Sequence, residues 1–343
     1  MKGQKHQNAE RKEHYTVYIF SEEEIRNVTE VNETALELIE EGFQKLAKGE
    51  VTMPPILRVD IPENNGEVDV KTAYVKGMDK FALKISSGFF NNSEKGLPSL
   101  SGMMLLFSTE TGFPKAVLQD NGYLTDVRTA VAGALAAKYL AKQNMQTAGI
   151  IGTGTQARYQ MRALMLVRDV KEVLVYGRRH ERVKEYIKDM EEDLNIKITA
   201  ADSAEQVVRQ SDTVITTTPS KTPVINKEWL HPGLHITAMG SDAEEKNEIS
   251  PEVLGAVDRL ACDSKTQVFR LGEHHHALEK GVIQKNSDIA ELGNIALGKS
   301  NGRKEENEIT FCDLTGTGVQ DTAIAVYAYE KLIEAEKGLL FTE

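Results

Sequence analysis

Ala148-Gly-Ile-Ile-Gly152-Thr-Gly154-Thr-Gln156-Ala157 is the stretch whose reading decides the fold. A short apolar run ends in glycine, the pattern G-x-G-x-x-A follows at once, and Ala157 to Val167 carries apolar residues at helical spacing. Strand, glycine turn and helix in that order form the context in which this pattern predicts a dinucleotide site. Gly152 permits the tight turn, Gly154 lets the backbone approach a pyrophosphate, and Ala157 allows close packing of helix on strand. Thr155 and Gln156 fall in the first helical turn, where unsatisfied N–H groups and partial positive charge favour phosphate. The alternative is a glycine-rich βα turn that holds no ligand.

Downstream the same rhythm repeats. Val173–Tyr176, Ile196–Ala200, Thr213–Thr218, Leu234–Met239 and Arg259–Cys262 are short buried runs, separated by amphipathic stretches such as Glu181–Leu194. Strands alternating with helices imply βαβ units, right-handed crossovers and a parallel sheet covered on both faces, a doubly wound Rossmann fold of the α/β class. An acid normally closes the second strand and binds the adenine ribose 2′-OH. Here that place reads Tyr176-Gly177-Arg178-Arg179-His180. Two guanidiniums and no carboxylate suit a 2′-phosphate, so the cofactor is expected to be NAD or NADP, leaning to NADP(H). The competing reading has Arg178 and Arg179 as solvated residues opening a helix.

Upstream of Thr147 the texture changes to α+β. Glu22 to Lys48 reads as one long amphipathic helix, followed by β-like runs at Val68–Val75, Phe81–Ser86, Met103–Ser108 and Ala116–Leu118. A last helix, Val319–Ala335, follows the strand-like Ile309–Leu314. With 343 residues, two domains are the expectation. Residues 1–128 and 315–343 would build a substrate-binding and dimerisation domain, and residues 129–314 the Rossmann domain.

Composition narrows the partners. A formal charge of −11 with no long Lys/Arg cluster excludes a nucleic-acid binder. No apolar run approaches the roughly 20 residues needed to span a bilayer. Met1–His14 is polar and lacks the apolar core of a secretory signal. Cys262 and Cys312 sit in short apolar runs and read as buried thiols of a cytoplasmic protein. Three adjacent histidines, His274-His275-His276, point in divergent directions, so no metal is expected.

Four ordered motifs resemble the ornithine cyclodeaminase/mu-crystallin family: Tyr123-Leu-Thr125-Asp-Val-Arg128-Thr-Ala, the Gly152 turn with Gln156, Met239-Gly-Ser-Asp242 with Lys246-Asn-Glu248, and Asp313-Leu-Thr-Gly316-Thr-Gly318-Val-Gln-Asp321. The resemblance runs from about residue 20 to residue 335. Gly66-Glu-Val-Asp69-Val-Lys71-Thr-Ala-Tyr74 and Lys84-Ile-Ser-Ser-Gly-Phe-Phe look closest to the branch of ectoine-utilisation cyclodeaminase-like proteins and iminosuccinate reductases. The family implies a homodimer paired through sheet structure, with the substrate between two domains. It also implies roles: Lys84 as the active-site lysine, Arg128 as the substrate carboxylate arginine, Asp242 as acid/base or water-positioning group, Asp69 as a second substrate-contacting acid, Arg58 as a further carboxylate-binding arginine and Thr125 beside the cofactor. Before Arg58, Met53-Pro-Pro55-Ile56 has isoleucine where the family often has an arginine.

Hydride transfer at an amino-bearing carbon makes matching demands. A bidentate cation must orient the α-carboxylate, a group of tuned pKa must move protons on nitrogen, and an acid must position water or the leaving nitrogen. Arg128, Lys84 and Asp242 can meet them, against the plain alternatives of a helix start, an outward strand residue and a turn cap. Two enzyme readings stay open: net imine reduction or amino-acid oxidation, and cyclodeamination with recycled NAD and ammonia release. A non-enzymatic cofactor-binding relative is the reading from another class. Lys71 lies two residues after Asp69, on the same strand face. If the strands of Lys71 and Lys84 pair, surplus cations predict a four-carbon acidic substrate such as iminosuccinate or aspartate, or a diaminobutyrate whose amine meets Asp69. The alternative puts Lys71 on a solvent face.

Overall fold

The computed structural model describes residues Thr16–Thr342, so the Met1–His14 reading lies outside the described residues. The chain divides into two units. The first comprises residues up to Glu30, Lys48–Arg128, and the chain from Thr317; the second comprises Val31–Ala47 and Thr129–Gly316.

Eight strands form the sheet of the first unit: β1 (Val17–Ser21), β2 (Val51–Thr52), β3 (Leu57–Ile61), β4 (Gly66–Val75), β5 (Lys80–Phe89), β6 (Leu100–Ser108), β7 (Pro114–Gln119) and β16 (Leu339–Phe341). Their order is β16-β1-β7-β6-β5-β4-β2, with β3 also on β4. Only β1 and β7 run parallel; the remaining pairs are antiparallel. Alternation sends Ala73, Ala82, Met104, Leu106, Ala116 and Leu118 to one buried face. The helix Gly318–Glu334 packs there, tied by Thr322 Oγ1, which donates to Ala73 O and accepts from Ala82 N. Its close seat depends on Gly318, where a Cβ would lie 2.2 Å from Thr72 O.

The second unit is the doubly wound α/β body. Strands β8 (Thr147–Ile151), β9 (Glu172–Tyr176), β10 (Lys197–Ala200), β11 (Thr213–Thr216), β12 (His235–Ala238), β13 (Arg259–Cys262), β14 (Ile289–Glu291) and β15 (Thr310–Asp313) take the order β10-β9-β8-β11-β12-β15-β13-β14. Every pair is parallel. Val173, Val175, Val214, Ile236 and Phe311 are fully buried, as strands covered on both faces require. Cys262 and Cys312 are buried thiols on β13 and β15. Among the described residues no helix is long and apolar enough to cross a membrane.

Three local readings are corrected. The expected long helix over Glu22–Lys48 is two helices, Glu22–Arg26 and Glu33–Ala47. Ser21 and Glu24 form a capping box on the first, and Asn32 Oδ1 accepts from Ala35 N to start the second, so two caps compete with one continuous helix. Glu33–Ala47 groups with the second unit, not with residues 1–128. The Phe43 carbonyl is pressed so close to Gly293 that a Cβ there would sit 2.0 Å away. Lastly, Arg128 is not at a helix start: the helix begins at Tyr123, where Asp120 Oδ2 accepts from Leu124 N, which puts Arg128 in the second turn.

Candidate active site

Strand register assembles the polar residues of the first unit. Lys71 stands directly opposite Lys84, Asp69 opposite Ser86, and Arg58 opposite Asp69. Directly opposed residues share a face, so Arg58, Asp69, Lys71 and Lys84 lie on one side of the sheet. Lys71, Lys84 and Arg128 are 6%, 3% and 4% exposed. Lys71 is therefore not on a solvent face.

At their centre is a residue for which the sequence reading named no role. Asp321, fully buried on the helix Gly318–Glu334, lies 2.9 Å from Arg128 Nε and 3.5 Å from Lys84 Nζ. Burial by itself would raise its carboxyl; the charges of Arg128, Lys84 and Lys71 outweigh that and hold it below the ordinary carboxylate value. The signal was present as a lone acid in the apolar run Val319-Gln-Asp-Thr-Ala-Ile-Ala-Val326. A second buried acid, Asp120, is raised mainly by desolvation, against the Leu124 N–H bond and the charge of Lys84.

Arg58 stands apart. Its guanidinium meets Asp60 at 2.8 Å and Glu67 at 2.7 Å, so two carboxylates of its own sheet already hold the charge. Thr125 is half-buried in the first turn of the helix Tyr123–Leu140, one turn before Arg128.

In the second unit the Gly152 turn has the geometry that a pyrophosphate needs. Gly152 takes φ +121°, and a Cβ there would lie 2.4 Å from Thr217 Oγ1. Gly154 is the N-cap of the helix Thr155–Leu164 and uses no side chain to cap it. A Cβ at Gly154 would meet nothing within 4 Å, so the backbone there faces open space. Thr155 is exposed, Gln156 half-buried, and Ala157 fully buried against the strands. The residues fit a dinucleotide phosphate. Pairing of Ile151 with Tyr176 brings the Arg178-Arg179 turn beside this one. Both arginines are exposed, and neither has an ion-pair partner among the described residues.

Asp242 lies on the loop after β12, exposed, with Lys246 Nζ 2.6 Å from its Oδ1. The three histidines diverge: His274 Nδ1 meets Asp313 Oδ2 at 2.9 Å, His276 Nε2 meets Lys246 O at 2.8 Å, and His275 turns towards Phe269 O. Among the described residues no group of three His, Cys, Asp or Glu could hold a metal ion.

The profile of the ornithine cyclodeaminase/mu-crystallin family matches residues 17–336. An uncharacterized cyclodeaminase of Sinorhizobium fredii is 47% identical over 327 residues, 95% of this chain and 99% of the relative. Among solved structures, an archaeal alanine dehydrogenase dimer with bound NAD superposes with a TM-score of 0.89 at 36% identity, covering 95% of this chain and 99% of its own. The iminosuccinate reductase of Paracoccus denitrificans in complex with NAD+ gives a TM-score of 0.87 at 28% identity, covering 96% and 99%.

Proposed function

The chain belongs to the ornithine cyclodeaminase/mu-crystallin family, and we propose that it is a nicotinamide-dinucleotide-dependent enzyme acting at the amino-bearing carbon of a small amino or imino acid. One observation carries this reading: three buried cations gathered around the buried Asp321 carboxylate, in a chain that also folds a Gly152–Gly154 dinucleotide turn. Bound at that turn, the cofactor would supply or accept the two electrons that interconvert imine and amine.

The chain's own residues do the rest. Arg128, paired with Asp321 at 2.9 Å, takes the α-carboxylate through its guanidinium in a bidentate grip. Lys84, against the same acid, gives or takes the proton at the substrate nitrogen. Asp242 positions water or the departing nitrogen. Lys71, opposite Lys84, faces the substrate's far end. Asp321 faces all three cations, and the buried Asp120 also feels the charge of Lys84, so the surplus is smaller than the cations alone suggest. Lys71, Lys84 and Arg128 on one buried side suit a four-carbon acidic substrate such as iminosuccinate or aspartate, or a diaminobutyrate whose amine meets Asp69.

Arg178 and Arg179, exposed and without acidic partners among the described residues, support NADP(H) as the preferred cofactor. The half-buried sheet face bearing Val70, Leu83, Ile85 and Leu105, opposite the lysines, and the archaeal dimer support a homodimer. We place the enzyme in the cytoplasm, where Cys262 and Cys312 stay reduced. Absorbance at 340 nm with a panel of imino and diamino acids, run beside an ammonia assay, tests the reading. Stoichiometric cofactor turnover supports the reductase; ammonia release without net cofactor change means cyclodeamination, the activity in the name of the Sinorhizobium relative. No turnover on any member of the panel would count against both.

A further inference from the structure

In the second unit, carboxylates cross-link the ends of the parallel strands in a regular way. Asp313 Oδ2, at the end of β15, accepts the backbone N–H of Glu273 at 2.8 Å and of His274 at 3.0 Å. Glu273 in turn accepts the N–H of Glu248 at 2.8 Å and of Ile249 at 3.1 Å, together with Asn247 Nδ2 at 2.7 Å. Glu248 accepts Thr218 N at 2.6 Å on one oxygen, and Gly240 N at 2.8 Å and the Thr216 hydroxyl at 2.7 Å on the other. Each acid thus grips the backbone at or beside the next, and the last one clasps the ends of β11 and β12. Glu248, Glu273 and Asp313 are all at most 1% exposed. None of them is at a position from which it was expected to act on substrate.

The loop Gly240–Glu248 is closed at both ends by this arrangement. Gly240 N binds a carboxylate eight residues downstream, and a Cβ at Gly240 would lie 2.1 Å from Thr218 O and 2.5 Å from Glu248 Oε2. Inside the loop the Ser241 hydroxyl donates to Lys246 O, and Lys246 Nζ holds Asp242. Asn247 N donates to Ser220 O at 2.8 Å, binding the loop to the segment after β11. Asp242 itself is exposed, and its neighbours Ser241 and Ala243 are buried beside the clasp that begins at Gly240.

We propose that Glu248 is a positioning residue for Asp242: by joining the ends of β11 and β12 through Thr218 and Gly240, it sets where the Asp242 carboxylate stands, and Glu273 braces it from behind. This rests on the reading of Asp242 as a group acting on the substrate. The physical ground is that a carboxylate accepts at both oxygens, whereas an amide of the same shape accepts at one. In Glu248→Gln either Thr218 N–H or Gly240 N–H must face an NH2 group and stay unsatisfied. The fold keeps its packing, yet the joint between the two strand ends loosens on the side that carries Asp242.

The test is a double-mutant cycle on the full-length protein with iminosuccinate and NADPH: wild type, Glu248→Gln, Asp242→Asn and the double variant, with cofactor affinity measured by fluorescence. Positioning predicts that Glu248→Gln lowers kcat at least about tenfold, as a misplaced group of the site does. Cofactor affinity should change by less than about threefold, and in the Asp242→Asn background the same change should cost less than about threefold. Equal losses in both backgrounds would mean that Glu248 only supports the fold, and unaltered kcat in Glu248→Gln would overturn the proposal outright. Full activity of Asp242→Asn by itself would refute the role given to Asp242, and with it the positioning role. Should Glu248→Gln fail to fold, Gly240→Ala, which pries at the same joint, must show the same dependence on Asp242.

Discussion

Replacing Asp321 by Asn tests the cationic cluster and the fold together. The side chain keeps its shape, but three buried cations lose the anion between them. With charges 2.9 Å and 3.5 Å apart, each contact is worth about 5–6 kcal/mol of attraction at an effective dielectric near 20. Burying the ions offsets much of this, so the net cost of removing one partner is about 3–5 kcal/mol. The upper part of that range is expected, because Asp321 faces more than one cation. At roughly 2–4 °C per kcal/mol for a body of this size, the melting temperature should fall by about 8–20 °C. Arg128 also loses the contact that orients it, so kcat/KM should drop further than the change in folded fraction accounts for. Thermal melts followed by kinetics well below the new midpoint measure both effects. Adding Lys71→Met to Asp321→Asn removes one of the cations that faced Asp321 and should restore part of the lost stability. A melting temperature within about 2 °C of wild type, or no recovery in the double variant, would refute the electrostatic account.

Other expectations follow from the same geometry. NADPH should bind more tightly than NADH, and Arg178→Asp should reverse the order in fluorescence titrations; a tenfold preference of the wild type for NADH would reject the assignment. Lys71→Met should impair turnover of a dicarboxylate such as iminosuccinate far more than of a monocarboxylate such as iminopropionate, and equal effects on the two would sink the idea of a second charge. Burial raises Glu248 from 4.5 to about 7, against the hydrogen bonds from Thr218, Thr216 and Gly240. A carboxyl raised in the folded state contributes stability below its unfolded pKa and loses it as pH climbs through the folded value. Wild type should therefore lose up to about 3 kcal/mol more than Glu248→Gln between pH 5 and pH 8 in denaturant titrations, and parallel curves would contradict the shift.

Local pattern was enough for the nucleotide-binding half. The Gly152 turn, the alternation of strand and helix and the arginines after β9 are short-range features, because a parallel strand buried on both faces must be apolar throughout and a phosphate turn needs glycine at fixed offsets. Family motifs pointed to Lys84, Arg128 and Asp242. Neither source could supply what depends on pairing between distant segments. That Lys71 stands opposite Lys84 is set by the β4–β5 register, and a slip of one residue would have sent Lys71 to the other face. Asp321 comes to those lysines from the far end of the chain because Gly318 lets its helix sit on β4. The short strands β1 and β16 have too few residues to show a period and exist through their partners β7 and each other. Residue type and spacing determined which chemistry the chain carries; the tertiary structure decided which charges meet, since a buried charge takes its energy from its neighbours in space and not from its neighbours in sequence.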